Sequence, residues 1–303
     1  MAEDMATKAP ESDAQAVSGI PGDTKPDQGA TSMVEHCVTD RPTHMQDTSK
    51  LGDVEVYISK PADYPHVSSR LLLLLTGGTG VHSVNNQLQA DKYASEGFVV
   101  VMPDQFGGDS APSTNTTAMS SAEENSTLIE QVKLGVATVA KSFTIDMWLA
   151  RQTPEKVLPR LQAVLKSARE EFADAVSQGD GVYAVGYCVG AKYVVLLGAE
   201  DEAEKKPAIK CGAIAHGLQI SPAELSSVKV PLSVVAVEGD PMFPDDVREE
   251  GMKALEKSSV EHECCVYSGV PHGFAVVGEY EESQIVTKQK EAFEQMLSWL
   301  KRH

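Results

Sequence analysis

The fold is decided by the stretch Gly181-Val182-Tyr183-Ala184-Val185-Gly186-Tyr187-Cys188-Val189-Gly190-Ala191. Mostly apolar residues with strand character run into a Gly-x-Cys-x-Gly pattern, and small residues compatible with a helix follow. This pattern is typical of a nucleophile elbow, with cysteine where serine usually stands. The turn from strand to helix is so tight that the residues two before and two after the nucleophile must be small. Gly186 and Gly190 meet that demand.

The same turn would lift the Cys188 thiol above the sheet edge. It would also place the thiol at the N-terminus of the next helix, where the peptide dipoles favour a thiolate. The alternative is plain core packing, because the pattern is short and cysteine is among the most buried residue types. The context favours a catalytic cysteine, since the motif requires a strand before it and a helix after it and both patterns are present.

Length, charge and cysteine content restrict the classes of function. A chain of 303 residues is within the range of a single α/β domain, and its formal net charge of -18 argues against nucleic acid and anionic membrane surfaces as partners. No CxxC pair occurs among the cysteines, which argues against zinc and thioredoxin chemistry. A reducing compartment, and hence a cytoplasmic location, is the simplest expectation. The cysteines are Cys37, Cys188, Cys211, Cys264 and Cys265.

Residues 1–32 differ in composition from the rest of the chain. They are rich in Ala, Asp, Pro, Gly, Ser and Thr, with no apolar core and no basic region. They therefore resemble neither a secretory signal nor a transit peptide, and we predict a disordered extension. Residues 33–303 are predicted to form one domain. The apolar run 71–75 is far too short to cross a membrane.

Strand and helix patterns alternate along this predicted domain. Strands are predicted at residues 54–58, 70–75, 98–102, 181–185, 209–216, 231–237 and 263–267. Helices are predicted at 85–96, 128–140, 154–176, 191–198 and 245–257, with a terminal helix marked by Ile285, Gln289, Ala292, Phe293, Met296 and Leu300. This alternation predicts an open, mostly parallel sheet with helices on both faces, and ligand sites at the carboxyl ends of the strands. Residues 105–150 form an excursion that either shapes a pocket or lid or is a surface insertion.

Three residues suited to acyl transfer lie just past predicted strand ends: Cys188, Asp240 and His272. Their order along the chain, nucleophile then acid then histidine, is that of α/β-hydrolases. His272 can take the thiol proton and later give it to the leaving oxygen, because imidazole titrates near neutrality. Asp240 would accept a hydrogen bond from the other imidazole nitrogen and fix its tautomer.

Both partners of the cysteine have rivals. Asp240 lies in a Gly-Asp-Pro turn, where aspartate is common for turn formation alone, and Glu238 is a rival acid nearer the strand body. His216 also follows a strand, but we interpret it as a pocket wall. His272 is favoured as the base because it lies in a tight Pro-His-Gly loop after the last strand.

Backbone groups and further side chains complete the predicted site. The N–H of Val189, with one from the Gly77-Gly78 turn, is expected to stabilise an oxyanion. Asp104 and Asp109 could line the pocket mouth or merely form turns, and Cys211, Cys264 and Cys265 are expected to pack in the core. The candidates for substrate contact are Thr79, Asp104, Trp148, Tyr187, His216 and Phe274.

With these residues in view, the chain resembles the dienelactone hydrolase family of α/β-hydrolases, especially its fungal branch. The resemblance covers roughly residues 50 to 300. It implies a Cys-Asp-His triad acting on lactones or esters, carried by Cys188, Asp240 and His272. The matching pieces are residues 53–61 (DVEVYISKP), 84–87 (VNNQ) with Ala90-Asp91, 103–106 (PDQF), 186–192 (GYCVGAK), 238–244 (EGDPMFP) and 270–274 (VPHGF).

The chain departs from the family pattern at two places. Members usually carry an acidic residue in the loop after the Leu-rich strand, where it helps govern the resting state of the thiol, and here that position looks like Gly77. The family often has an arginine that binds a substrate carboxylate shortly after His-Gly-Phe, where this chain has Ala275-Val276-Val277. The resemblance therefore implies a larger or more neutral lactone, ester or thioester as substrate.

We predict a cysteine hydrolase that forms an acyl-thioester on Cys188, with no metal and no organic cofactor. A small molecule is the expected partner, and a homodimer is possible. The alternatives are a biosynthetic enzyme that catalyses cyclisation, isomerisation or lactone chemistry without net hydrolysis, and a non-catalytic binding protein. The intact triad argues against the binding protein.

Overall fold

The sheet is built on Arg70–Leu75, a run of five leucines after one arginine. Leu71, Leu73 and Leu75 pack in one hydrophobic core, and Leu72 and Leu74 pack in a second core on the opposite face. Successive strand side chains point to opposite faces, so an unbroken apolar run is what a strand covered on both sides requires. This strand lies in the middle of the sheet.

In a computed structural model, residues 48–112, 144–201 and 204–303 are described, and they contain an eight-stranded sheet in the order β1-β2-β4-β3-β5-β6-β7-β8. The pairs β1–β2 and β2–β4 are antiparallel, and every other pair is parallel. The predicted α/β class is confirmed. The strands are β1 (Ser49–Leu51), β2 (Val54–Ser59), β3 (Arg70–Leu75), β4 (Phe98–Pro103), β5 (Val182–Tyr187), β6 (Cys211–Ala215), β7 (Leu232–Val237) and β8 (His262–Tyr267).

Helices cover both faces of the sheet. The first core receives the helices at residues 144–151, 154–171, 173–179, 189–197, 222–227 and 245–256, and the second core receives those at 84–95 and 283–302. No helix in the described ranges is long and apolar enough to span a membrane. The helices are α1 (Val84–Ser95), α2 (residues 144–151), α3 (Pro154–Glu171), α4 (Ala173–Gly179), α5 (Val189–Leu197), α6 (Pro222–Ser227), α7 (Asp245–Glu256) and α8 (Ser283–Arg302).

Some predicted elements differ from the observed ones. The helix predicted at 154–176 is two helices, α3 and α4, because the backbone leaves helical geometry at Phe172 (φ -114, ψ 42). The sequence analysis missed β1 and α6, although α6 begins with a capping box between Ser221 and Glu224. The predictions for residues 1–32, for Cys37, for the helix at 128–140 and for most of the 105–150 excursion lie outside the described residues.

The prediction that Cys265 packs in the core is wrong. Strand β8 is the last strand of the sheet, and the Cys265 side chain is exposed while Cys264 is half-buried. An edge strand has a neighbour on one side alone, so its residues are covered less completely. Cys211, on the inner strand β6, is buried as predicted.

The turn between β5 and α5 leaves no room for a Cβ atom at Gly186 or Gly190. Cys188 has φ 53 and ψ -116, and a Cβ on Gly186 would lie 2.6 Å from the Gly190 carbonyl oxygen. A Cβ on Gly190 would lie 2.2 Å from the Leu75 carbonyl oxygen at the end of β3. Both contacts are with backbone atoms, which cannot rotate away. The two glycines are therefore required by sterics, as the motif predicted.

Replacing Gly190 by alanine should destabilise the protein by about 3 kcal/mol or more, because the new methyl group would push β3 and α5 apart. The measurement is the urea midpoint of unfolding. Gly278→Ala is the matched control, since the nearest atom to its Cβ would be a carbonyl oxygen at 3.8 Å. Equal midpoints for the two variants would contradict the prediction.

Candidate active site

Cys188, Asp240 and His272 come from the carboxyl ends of β5, β7 and β8, and the parallel pairing brings these ends to one edge of the sheet. The Nδ1 of His272 lies 2.7 Å from the Oδ2 of Asp240. The two side chains are 6% and 1% exposed, and Cys188 is 4% exposed. The three predicted residues thus share a site from which water is largely excluded.

Asp240 and not Glu238 is the acid that reaches the histidine. Its second oxygen, Oδ1, accepts a hydrogen bond of 2.9 Å from the backbone N–H of Met242, which fixes the carboxylate within its turn. Glu238 lies in the turn directly after β7 and is exposed. One aspartate therefore forms the turn and also holds the imidazole.

The surroundings of His272 favour its protonated, charged form. Burial acts to lower its pKa, but Coulombic attraction to Cys188, together with the hydrogen bond to Asp240, outweighs burial and raises the pKa to about 10. Nε2 of His272 makes no hydrogen bond of ordinary geometry in the described structure. With Nδ1 held by Asp240, Nε2 is the nitrogen left to exchange a proton with the thiol or a substrate.

Cys188 opens into a small, narrow cavity with room for about one water-sized molecule. None of the described residues that line it is an acid, a lysine or an arginine. A neutral lining does not favour a charged substrate group. The lining consists of Gly77, Thr79, Ser83, Asn85, Asn86, Cys188, His216 and Val276.

The loop after β3 is held close to the thiol. The side-chain amide of Gln105 bonds both to the N–H of Thr76 (3.2 Å) and to its carbonyl (3.1 Å), and that carbonyl also accepts from the N–H of Gly190. A Cβ on Gly77 would lie 3.4 Å from the Cβ of Cys188. Any side chain at position 77 would therefore start beside the nucleophile, which is the position expected for the acid that this chain lacks.

Two glutamines that the sequence analysis missed hold the loop that carries His272. Gln89 donates to the hydroxyl of Tyr187 at 3.0 Å and accepts from the N–H of Val277 at 2.9 Å. Gln289 donates to the carbonyls of Phe274 and Val276. Their only sequence signal is a polar residue on the buried face of an amphipathic helix.

The six candidates for substrate contact fall into three pairs. Thr79 and His216 line the cavity. Asp104 accepts hydrogen bonds from the N–H groups of Phe106 and Gly108 within its own turn. Trp148 donates to the carbonyl of Asp109 and packs on Phe106.

The remaining two candidates, Tyr187 and Phe274, are buried behind the cavity wall. Tyr187 hydrogen-bonds Gln89 and Tyr93, and its ring packs against His216, as does that of Phe274. Both contribute to the support of the site. Asp109 does not line the cavity, because its carboxylate pairs with Arg151 and Gln152. In the described ranges no three His, Cys, Asp or Glu side chains gather as a metal site would require.

The geometry and the motifs agree with a comparison to known families. A model described as "Dienelactone hydrolase family" matches residues 54–303. The chain belongs to the dienelactone hydrolase family. It is a hydrolase of that family, and its relatives include fungal enzymes.

Two of these relatives match most of the chain. "Hydrolase pyvD" of Aspergillus violaceofuscus is 30% identical over 255 residues, which cover 84% of this chain and 89% of the relative. "Hydrolase tropI" of Talaromyces stipitatus is 29% identical over 262 residues, which cover 83% of this chain and 87% of the relative. A putative dienelactone hydrolase structure from Klebsiella pneumoniae superposes with a TM-score of 0.59 at 17% identity, covering 82% of this chain and 93% of the other. That likeness supports the α/β-hydrolase fold.

Replacing Cys188 by alanine should lower the pKa of His272, because the attraction that favours the imidazolium is then lost. The ring protons of His272, followed by NMR as a function of pH, would measure the change. Cys265→Ala is the control, since that exposed thiol lies on the edge strand. An unchanged His272 titration in Cys188→Ala would contradict the coupling.

Proposed function

We propose that this hydrolase cleaves an uncharged ester, lactone or thioester through a covalent acyl-enzyme on Cys188. The proposal rests on the buried pair of Asp240 and His272. The Nε2 of His272 makes no hydrogen bond of ordinary geometry, and attraction to Cys188 raises the pKa of this imidazole. The raised pKa means that His272 carries a proton at neutral pH, which it can give to the leaving group. Asp240 keeps the ring in the required orientation.

The reaction proceeds in two halves. The Cys188 thiolate attacks the carbonyl carbon, and the leaving oxygen or sulfur departs with the proton from Nε2 of His272. Neutral His272 then takes a proton from water, the resulting hydroxide attacks the thioester, and the acid departs as the thiolate is restored. The first half leaves His272 neutral, as the second half requires, and the second half protonates it again.

Backbone donors beside the thiol suit the oxyanion. Val189 is the first residue of α5, so its N–H has no partner within the helix. Gly77 and Gly78 lie in the loop whose position Gln105 and Gly190 fix. We assign the oxyanion to the Val189 N–H and one N–H of this loop, because donors fixed before the reaction stabilise developing charge best.

The substrate is assigned as neutral near the scissile bond. The described lining contains no cation to pair with a substrate carboxylate, and position 77 contains no acid to compete with His272 for the thiol. Hydrolysis is favoured over rearrangement without water because two relatives that match over 80% of this chain are named hydrolases. The non-hydrolytic alternative remains the competing outcome of the labelling experiment below.

Cys188→Ala should lose activity by a factor on the order of 10⁴ or more while remaining folded, since alanine keeps the small Cβ but cannot form the acyl-enzyme. The assay is hydrolysis of 4-nitrophenyl butyrate, with circular dichroism to check folding. Cys265→Ala should retain wild-type activity. Activity of Cys188→Ala close to the wild-type level would rule out this mechanism.

Hydrolysis in H₂¹⁸O should place one labelled oxygen in the acid product, because water cleaves the thioester. Mass spectrometry of the product from an ester or lactone substrate measures the label. An unlabelled product that is formed only when Cys188 is present would instead identify cyclisation or isomerisation.

A further inference from the structure

His216 is a buried side chain, 0% exposed. Neither Nδ1 nor Nε2 makes a hydrogen bond of ordinary geometry with a described residue. It lines the same cavity as Cys188. Buried polar groups in folded proteins are almost always paired, so a ring nitrogen of His216 that faces the cavity is suited to a hydrogen bond with a ligand.

The backbone holds His216 in a conformation that few residues adopt. Its φ is 38, and its N–H donates to the carbonyl of Val235 at 2.8 Å. The ring lies 5.0 Å from that of His272 and between the rings of Tyr187 and Phe274. Strained backbone at a site wall is retained where the surroundings enforce it, and it often accompanies ligand binding.

His216 differs from His272 in its charge. Burial, followed by repulsion from His272, brings the pKa of His216 well below its ordinary value. The ring is therefore neutral, with one N–H donor and one acceptor nitrogen. No carboxylate of the described residues orients it, so it is poorly suited to act as a base.

The neighbouring polar residues of the cavity are already paired. The Nδ2 of Asn86 donates to the hydroxyl of Thr79 at 3.0 Å and to the carbonyl of Gly80 at 2.8 Å. These bonds hold Asn86 and Thr79 in the cavity wall. His216 is a buried lining residue whose ring nitrogens have no comparable bond.

We propose that His216 binds a hydroxyl group on the acyl part of the substrate, so that the enzyme selects hydroxyacyl esters or lactones over their unsubstituted counterparts. A hydroxyl can accept from the imidazole N–H or donate to the bare ring nitrogen, so it can pair with whichever nitrogen of His216 faces the substrate. A carboxylate would accept only and would have no cation in the lining, and an alkyl chain would leave both nitrogens unpaired. This inference rests on the proposed function at Cys188.

The test compares 4-nitrophenyl butyrate with the 4-nitrophenyl esters of 2-, 3- and 4-hydroxybutyrate and with mono-4-nitrophenyl succinate. One hydroxy ester should exceed the plain ester in kcat/KM by about tenfold, the value of one neutral hydrogen bond at the upper end of its range. In His216→Phe this ratio should fall to about one, whatever the absolute rates. His216→Asn keeps a donor and an acceptor and tolerates positive φ, so it should keep part of the ratio.

A binding measurement separates this inference from the proposed function. Cys188→Ala should bind the anilide of the preferred hydroxy acid more tightly than butyranilide by calorimetry, and Cys188→Ala/His216→Phe should lose the difference. If no ester is hydrolysed in a Cys188-dependent way but this difference is present, the proposed function fails and the hydroxyl site stands.

Three results would overturn the hydroxyl site. They are equal kcat/KM for all the butyrates, a hydroxy preference that survives in His216→Phe, and a preference for the succinate ester. Each of them can occur with Cys188-dependent hydrolysis intact. If His216→Phe does not fold, His216→Asn decides. Its ratio of kcat/KM for the hydroxy ester to that for the plain ester should be lower than in the wild type but above one, and an unchanged ratio would overturn the hydroxyl site.

Discussion

The site depends on the close approach of backbone around Gly190. The N–H of Gly190 donates to the carbonyl of Thr76, and the space at its α-carbon is closed by the carbonyl of Leu75. The same turn is tied on its other side, because the N–H of Cys188 donates to Ala215 and its carbonyl accepts from Leu218. The cysteine is therefore held between the ends of β3 and β6, and its position cannot be changed without moving the sheet.

The electrostatics of the site follow from what surrounds this fixed thiol. The Asp240 carboxylate is buried against His272. It raises the pKa of the imidazole and so opposes the effect of burial, which lowers that pKa. His216, 5.0 Å away, has no such acid and stays neutral. Two neighbouring histidines thus differ in their protonation, because environment and not residue type sets the protonation state. In the proposed mechanism, His272 would transfer protons and His216 would recognise the substrate.

The sequence predicted the inner strands almost to the residue. The strands from Arg70, Phe98 and Val182 begin where the apolar runs begin, because a strand covered on both faces must be apolar throughout. The order of the strands across the sheet could not be predicted from these apolar runs. Cys265 lies in an apolar run, which predicts that it is buried. It is exposed because β8 is the edge strand and has no neighbour beyond it. Pairing order is set by contacts distant in sequence, which local patterns do not contain.

By itself the sequence determined the α/β class, the tight turn at Cys188 and the placement of Cys188, Asp240 and His272 just past strand ends, since each depends on local sterics or on residue type at strand ends. Only the tertiary structure decided that Asp240 and not Glu238 reaches His272, that Gln89 and Gln289 hold the loop after β8, and that His216 lacks partners. Those facts depend on which side chains from separate elements meet in three dimensions. Hydrogen-bond partners and burial arise only when the sheet has assembled.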